Sequence, residues 1–265
     1  MKLKSNYSVL SLSGGMDSTS LLLHLLSKNQ TIYCLSFKYG QNHSFEIDKA
    51  SENISYLIKN GFKDKLFHKI IDLTNVFNNF NSTLLSGSST IPEGHYESKN
   101  MKSTFVPNRN AIFSSVLYGY ALTLCNKIND NVTISMGVHS GDHEIYPDCR
   151  PDFFVKLFES FKIGNWDSEK IKLYLPYVDF NKTDILEDAE ISINKLNLDF
   201  DIIFTNTITS YSPDNNGVSS GKSGSDIERI LAFNNLNRKD PIKYKDEWAK
   251  VLKHALDVEE RFKKK

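Results

Sequence analysis

Near its start the chain reads Tyr7-Ser8-Val9-Leu10-Ser11-Leu12 and then, with no spacer, Ser13-Gly14-Gly15-Met16-Asp17-Ser18. The first run is short, apolar and bounded by a turn, which is the pattern of a buried strand. Two consecutive glycines open backbone conformations closed to other residues and let a ligand come close to the main chain. From Asp17 to Lys28 the apolar residues Leu21, Leu22, Leu25 and Leu26 recur at helical spacing. A helix that begins at such a turn presents unpaired N–H groups and the positive end of its dipole, which together attract an anion. The hydroxyls of Ser13, Ser18 and Thr19 add donors, so the segment can cradle a pyrophosphate. On the residues alone, a plain strand-to-helix turn capped by Asp17 or Ser18 is an equal alternative. The spacing is neither that of a Walker A loop nor that of a Gly-x-Gly-x-x-Gly dinucleotide fingerprint.

Working outward, short apolar runs alternate with amphipathic stretches. Ile32 to Phe37, Leu66 to Leu73 and Asn131 to Val138 read as strands, and His43 to Asn60, Asn110 to Cys125 and Asp152 to Phe161 as helices. Strands separated by helix-length spacers predict an α/β fold, an open doubly wound parallel sheet covered on both faces. Such sheets bind ligands outside the carboxyl ends of their strands. From about Asp201 the composition changes. Thr205 to Asp226 is rich in Ser, Thr, Asn and Gly and reads as a loop, and Trp248 to Arg261 as a charged helix. The organisation expected is a nucleotide-binding α/β domain over 1–200 and a small loop-and-helix appendage over 201–265.

Composition narrows the chemistry. In 265 residues, 40% are apolar and 24% charged, which excludes wholesale disorder. Lys+Arg and Asp+Glu both number 32, so no basic excess supports sequence-blind binding to nucleic acid, and a small-molecule substrate fits better. Cys34, Cys125 and Cys149 are too scattered for a disulfide framework or a thiolate zinc site. No apolar run approaches the roughly 18 residues of a membrane span, and residues 1–10 lack the layout of a signal peptide. The expectation is a soluble, cytoplasmic protein of a reducing compartment with no membrane partner.

Ser13-Gly14-Gly15-Met16-Asp17-Ser18 resembles the Ser-Gly-Gly-x-Asp-Ser signature of the PP-loop ATP pyrophosphatases, whose fold is that of the adenine nucleotide alpha hydrolases. Three further segments narrow the likeness: Ser36-Phe37-Lys38-Tyr39-Gly40-Gln41-Asn42-His43, Phe105-Val106-Pro107-Asn108-Arg109-Asn110, and Tyr146-Pro147-Asp148-Cys149-Arg150-Pro151. With Asn181-Lys182-Thr183-Asp184-Ile185, and in this order, they are similar to the motifs of the 7-cyano-7-deazaguanine synthase family, from Val9 to about Phe233. The resemblance implies an ATP-dependent ligase that adenylates the carboxylate of 7-carboxy-7-deazaguanine and uses ammonia to reach the nitrile through an amide. A carboxylate is a poor electrophile, and transfer of AMP gives it a good leaving group. Such catalysis is chiefly positioning and charge stabilisation.

What the resemblance implies for residues is specific. ATP and magnesium are the expected cofactors, with Ser13, Gly14, Gly15, Asp17, Ser18, Thr19, Phe37 and Tyr39 at the nucleotide. Asp17, Arg109, Lys182 and Cys149 are the catalytic candidates, Arg109 and Lys182 as holders of phosphate charge and Asp17 as the first carboxylate for magnesium. Gln41, His43, Asn108, Arg109, Asn110, Asp142, Tyr146, Asp148 and Arg150 are the substrate candidates. Asp142 or Asp148 could accept paired N–H bonds from the base edge, and Arg150 could meet the substrate carboxylate. Cys149 is open between a nucleophile and a small packing residue of the pocket. His139, His143 and Glu144 match no strong zinc spacing and read better as a solvated turn. A homodimer is also implied.

The chain departs from the family in its tail, where four zinc-binding cysteines belong. By register their positions are occupied by Ser210, Ser220, Ser223 and Asp226. Neutral hydroxyls are poor zinc ligands and one carboxylate cannot replace four thiolates. No zinc is expected there, and the loop is expected to fold by hydrogen bonds. Two alternatives stay open: a diverged enzyme of antiphage defence that attaches the activated deazaguanine to a protein amine, and a nucleotide-binding module without turnover.

Overall fold

The computed structural model describes residues 5–41, 45–85, 99–139, 141, 146–210, 214 and 216–264. In chain order the elements are β1 (Tyr7–Ser11), α1 (Met16–Ser27), β2 (Thr31–Lys38), α2 (Phe45–Leu57), β3 (Leu66–Asp72), α3 (Thr74–Phe77) and α4 (Arg109–Ile128). There follow β4 (Val132–Ser135), α5 (Pro151–Ile163), β5 (Ile171–Tyr174), α6 (Lys182–Leu196), α7 (Phe200–Thr205), α8 (Gly224–Asn235) and α9 (Trp248–Lys263). The five strands form one sheet in the order β3-β2-β1-β4-β5, every pairing parallel. This is the doubly wound α/β architecture expected from the alternation of strands and helices.

Parallel strands covered on both faces alternate their side chains between two cores. Val9 of β1 belongs to the core beneath α4 and α5, and Leu10 to the opposite core beneath α1 and α6. β2 divides likewise, with Leu35 and Phe37 on the first face and Ile32 and Cys34 on the second. Leu21, Leu22 and Leu25 of α1 are fully buried against that second face. His24 bridges α1 to α6 through Nδ1, 2.9 Å from Asp188 Oδ2, and Tyr177 OH donates to the same oxygen at 2.6 Å.

The chain order reverses between β1 and β4. From β1 it proceeds outward to β2 and β3 on one side, whereas β4 and β5 lie on the other. In open α/β sheets the loops leaving the two central strands diverge at such a point and leave a crevice at their carboxyl ends.

Some elements differ from the sequence reading. β4 stops at Ser135 rather than Val138, because Met136 to His139 leave the ladder to line the crevice. β5 has only four residues, Ile-Lys-Leu-Tyr, too short a run to stand out beside its neighbours. The segment read as a loop from Thr205 to Asp226 is bounded by helices, since α7 ends at Thr205 and α8 begins at Gly224. The start of α8 is fixed by a capping box between Ser223 and Asp226. Phe204 and Phe233, from 201–265, are fully buried in the core with α1 and α6, and α9 packs on α8 through Val251 and Ala255. Among the described residues no helix is long and apolar enough to cross a membrane.

Candidate active site

A cleft of about 220 Å³ occupies the crevice at the carboxyl ends of β1 and β4. Its floor is the glycine turn. Gly14 has φ +89°, and a Cβ there would sit 1.9 Å from the carbonyl oxygen of Glu46, so the turn exists only as glycine against α2. Gly15 is the N-cap of α1 and carries no side-chain cap. The alternative of a turn capped by Asp17 or Ser18 therefore does not describe the geometry. Instead Ser18 Oγ accepts from Ser13 N–H at 3.1 Å and lies 2.9 Å from Ser13 Oγ. Ser13 Oγ in turn accepts from Gly15 N–H at 3.2 Å. The hydroxyls brace the turn, and the first N–H groups of α1 lack side-chain caps, as an anion site requires. Gly137, after β4, lets that strand pass against the start of α1: a Cβ there would meet Ser18 N at 3.1 Å.

Lys182 is buried at the first position of α6, a helix begun by a capping box in which Asn181 Oδ1 accepts from Thr183 N–H (2.8 Å) and Asp184 N–H (3.1 Å). That box sends the Lys182 ammonium into the cleft, where Nζ donates to Asp17 Oδ2 at 2.8 Å. Nζ also lies 3.0 Å from His139 Nε2 and 3.8 Å from Glu228 Oε2. Burial by itself would raise the Asp17 pKa, but the charges of Lys182 and His139 outweigh it and hold the carboxyl below its ordinary range. Asp17 Oδ1 is buried and has no hydrogen-bond partner among the described residues. Magnesium takes oxygen ligands, and this orphaned carboxylate oxygen beside the glycine turn fits one.

A second charged group faces the cleft from Arg109, the first residue of α4. Its guanidinium acts electrostatically on the Tyr39 hydroxyl and on Glu46. Burial pushes the Glu46 carboxyl up to about 7 against the opposing pull of Arg109. Phe37 and Phe113 stack in the wall with ring centroids 4.2 Å apart, and Tyr39 meets Phe113 edge-on at 5.5 Å. Such a flat apolar surface suits a heteroaromatic ring. Asn110 fixes the start of α4: its N–H donates to Asp148 Oδ2 at 3.2 Å, and its Nδ2 donates to Asp148 O (3.1 Å) and Cys149 Sγ (3.2 Å).

Of the residues singled out in the sequence, Ser13, Gly15, Asp17, Ser18, Phe37, Tyr39, Gln41, Arg109, Asn110, Cys149 and Lys182 line this one cleft. Gly14 lies in the turn below it, and Thr19 is buried one step further along α1. Asp148 is buried behind Asn110, and Tyr146 OH is 2.6 Å from Thr104 Oγ1, so both sit in the supporting layer. Asn108 and Arg150 are exposed N-cap residues of α4 and α5 outside the lining. His43 and Asp142, with His143 and Glu144, fall outside the described residues.

The tail forms another wall. Ile208, Thr209 and Ser210 line the cleft, and Ile208 N–H donates to Gly14 O at 3.1 Å. Behind them Asp226 is fully buried and accepts from Ser210 Oγ (3.1 Å), Ser219 Oγ (2.6 Å), Ser223 Oγ (2.8 Å) and Ser223 N–H (3.2 Å). The register assigned Ser220, and its neighbour Ser219 is the one that reaches the carboxylate. Burial raises the Asp226 pKa, and the hydroxyls of Ser219, Ser223 and Ser210 offset this in part. One carboxylate ringed by hydroxyls is a hydrogen-bonded knot, and its donor set holds no thiolate. Beside it Arg229, also fully buried, places its five N–H donors on Asp240 Oδ1 and Oδ2, Thr207 Oγ1, Thr209 Oγ1 and Phe204 O.

Sequence reasoning missed Glu46, Phe113 and the Ile208–Thr209 wall, and it read His139 as part of a solvated turn, whereas that side chain is buried against Lys182 in the cleft. Phe113 stands one helical turn beyond Arg109, and that spacing was the available signal. Glu46 sits three residues past His43 in a stretch read only as helix, and nothing in its neighbours marks a half-buried acid at a cleft.

A family model described as "Queuosine biosynthesis protein QueC" matches residues 7–237. Among curated proteins, the 7-cyano-7-deazaguanine synthase of Marinomonas sp. (strain MWYL1) is 37% identical over 242 residues, covering 91% of this chain and 99% of its own. The 7-cyano-7-deazaguanine synthase 1 of Colwellia psychrerythraea is 40% identical over 237 residues, covering 88% and 95%. That of Hahella chejuensis is 38% identical over 244 residues, covering 90% and 93%.

Proposed function

Because the chain belongs to the family of queuosine biosynthesis protein QueC, we propose that it is a 7-cyano-7-deazaguanine synthase, converting 7-carboxy-7-deazaguanine to the nitrile with ATP and ammonia. The observation that carries this reading is the uncapped glycine turn, braced by Ser13 and Ser18 and opening on a cleft that also holds Lys182 and Arg109. The ATP phosphates lie along the N–H groups of the first turn of α1, and Lys182 and Arg109 stabilise charge as pyrophosphate departs. Asp17 fixes Lys182 by their 2.8 Å ion pair. Asp17 Oδ1 would hold magnesium, which when bound neutralises phosphate charge. The Phe37–Phe113 wall takes a flat ring, and Asn110 holds Cys149 at the cleft surface as a packing residue. The tail wall stands on the Ser–Asp226 knot without zinc.

The test is product analysis after incubating the protein with ATP, magnesium, the carboxylic acid and ammonium. AMP and the nitrile are expected together. ATP left intact in the presence of acid and ammonium, or AMP formed only after addition of a protein amine, would overturn the assignment.

A further inference from the structure

Making an amide from an acyl adenylate and ammonia leaves a surplus proton on nitrogen, and so does making a nitrile from the amide. A cleft that runs both steps needs a base. The charged side chains of the cleft divide into two sets. Asp17, Lys182 and His139 are tied to one another at the glycine turn by contacts of 2.8 to 3.7 Å. Glu46 belongs to the other set, with Arg109 and Tyr39.

Its position is fixed by the backbone. Glu46 lies in the first turn of α2, and its own carbonyl is the group that Gly14 avoids by having no Cβ. The residue whose backbone is held against the glycine turn also lines the same cleft. No salt bridge within 4.0 Å engages that carboxylate among the described residues, in contrast to Asp17. The permanently charged Arg109 of α4 and the Tyr39 hydroxyl beyond β2 act on it electrostatically. Cys149 is the other ionisable wall group outside the Asp17 set.

We propose that Glu46 is the catalytic base of the amination half of the reaction, accepting the proton that nitrogen sheds. This rests on the functional reading above. The nitrogen lone pair attacks the acyl carbon and a C–N bond forms. The C–O bond to the adenylyl phosphate breaks, and its electron pair leaves on AMP. One proton passes from the new ammonium nitrogen to the Glu46 carboxylate and then to water. In the second round the base takes a proton from the amide nitrogen as the amide oxygen is adenylated. It takes another as the C–O bond breaks and C≡N forms. Burial supports the role, since a carboxyl raised to about 7 is matched to proton transfer at neutral pH.

The experiment compares wild type with Glu46→Gln by two readouts. Acid-dependent ATP–pyrophosphate exchange reports adenylation alone, and amide plus nitrile formation reports amination, measured across neutral pH with free ammonia held constant. Wild-type amination should rise with pH through a step near 7. The variant should lose that step and fall roughly 100-fold or more, with exchange at the wild-type level. Unchanged amination overturns the proposal, and so does exchange that falls in parallel with it, since Glu46 would then serve the phosphate turn. Absence of acid-dependent exchange in the wild type overturns the functional reading, and the proposal with it.

Discussion

Gly14 and Gly61 separate two costs that are easily merged. Both have positive φ, +89° and +95°, so an alanine at either pays the strain of a left-handed backbone, about 1 kcal/mol. Nothing lies within 4 Å of a Cβ at Gly61, whereas at Gly14 the Glu46 carbonyl is 1.9 Å away. Gly61→Ala should therefore lower stability by that small amount and leave AMP formation intact. Gly14→Ala should push α2 from the turn and abolish AMP formation, with a larger loss in the urea midpoint. Equal effects of the two substitutions would mean that the turn is not held against α2. At this scale the motifs were legible because their chemistry is local: two glycines, a serine on each side and an aspartate announce an anion site in six letters. Glu46 was illegible for the opposite reason. Its place in the cleft depends on the close approach of its backbone to Gly14, more than thirty positions earlier in the chain, and a glutamate in a helical stretch carries no mark of that.

At the scale of elements, the knot around Asp226 decides how the tail stands. Asp226→Ala would strand the hydroxyls of Ser210, Ser219 and Ser223, at roughly 1–3 kcal/mol for each buried group left without a partner. Asp226→Asn keeps an acceptor and removes a buried charge, so its loss should be smaller, about 1 kcal/mol or less. The pH dependence has a definite sign. The folded carboxyl titrates above its unfolded value, so the folded state retains the proton longer, and stability falls as pH rises from the unfolded value through the folded one. Asp226→Asn should remove that fall, read as urea midpoints across acidic pH. An alanine variant as stable as wild type would show that the carboxylate is not what organises the loop. The sequence register brought Ser210, Ser223 and Asp226 forward as a group, and they do meet. Ser219, which that register did not single out, joins them because its hydroxyl reaches the same carboxylate, a contact that no periodicity in a loop announces. β5 and α7 escaped notice because four and six residues are too few for a hydrophobic period to emerge.

For the whole molecule, what matters is that distant pieces converge at the one place where the sheet reverses its order. β1 brings the glycine turn, β4 brings Gly137 and His139, α4 brings Arg109, α6 brings Lys182, and the tail closes the side through Ile208 and Ser210. The parallel α/β class was readable from alternation alone, since only that topology accommodates strands joined by helix-length connections. Which loops would meet was readable only through the family likeness, because long-range contact leaves no local trace. On the proposed function this cleft transfers AMP to an oxygen of its substrate's carboxylate. Mass spectrometry of AMP formed from acid labelled with ¹⁸O in the carboxylate tests it directly: each AMP should carry one ¹⁸O atom. Unlabelled AMP, with the label found in inorganic phosphate or retained by the acid, would contradict it.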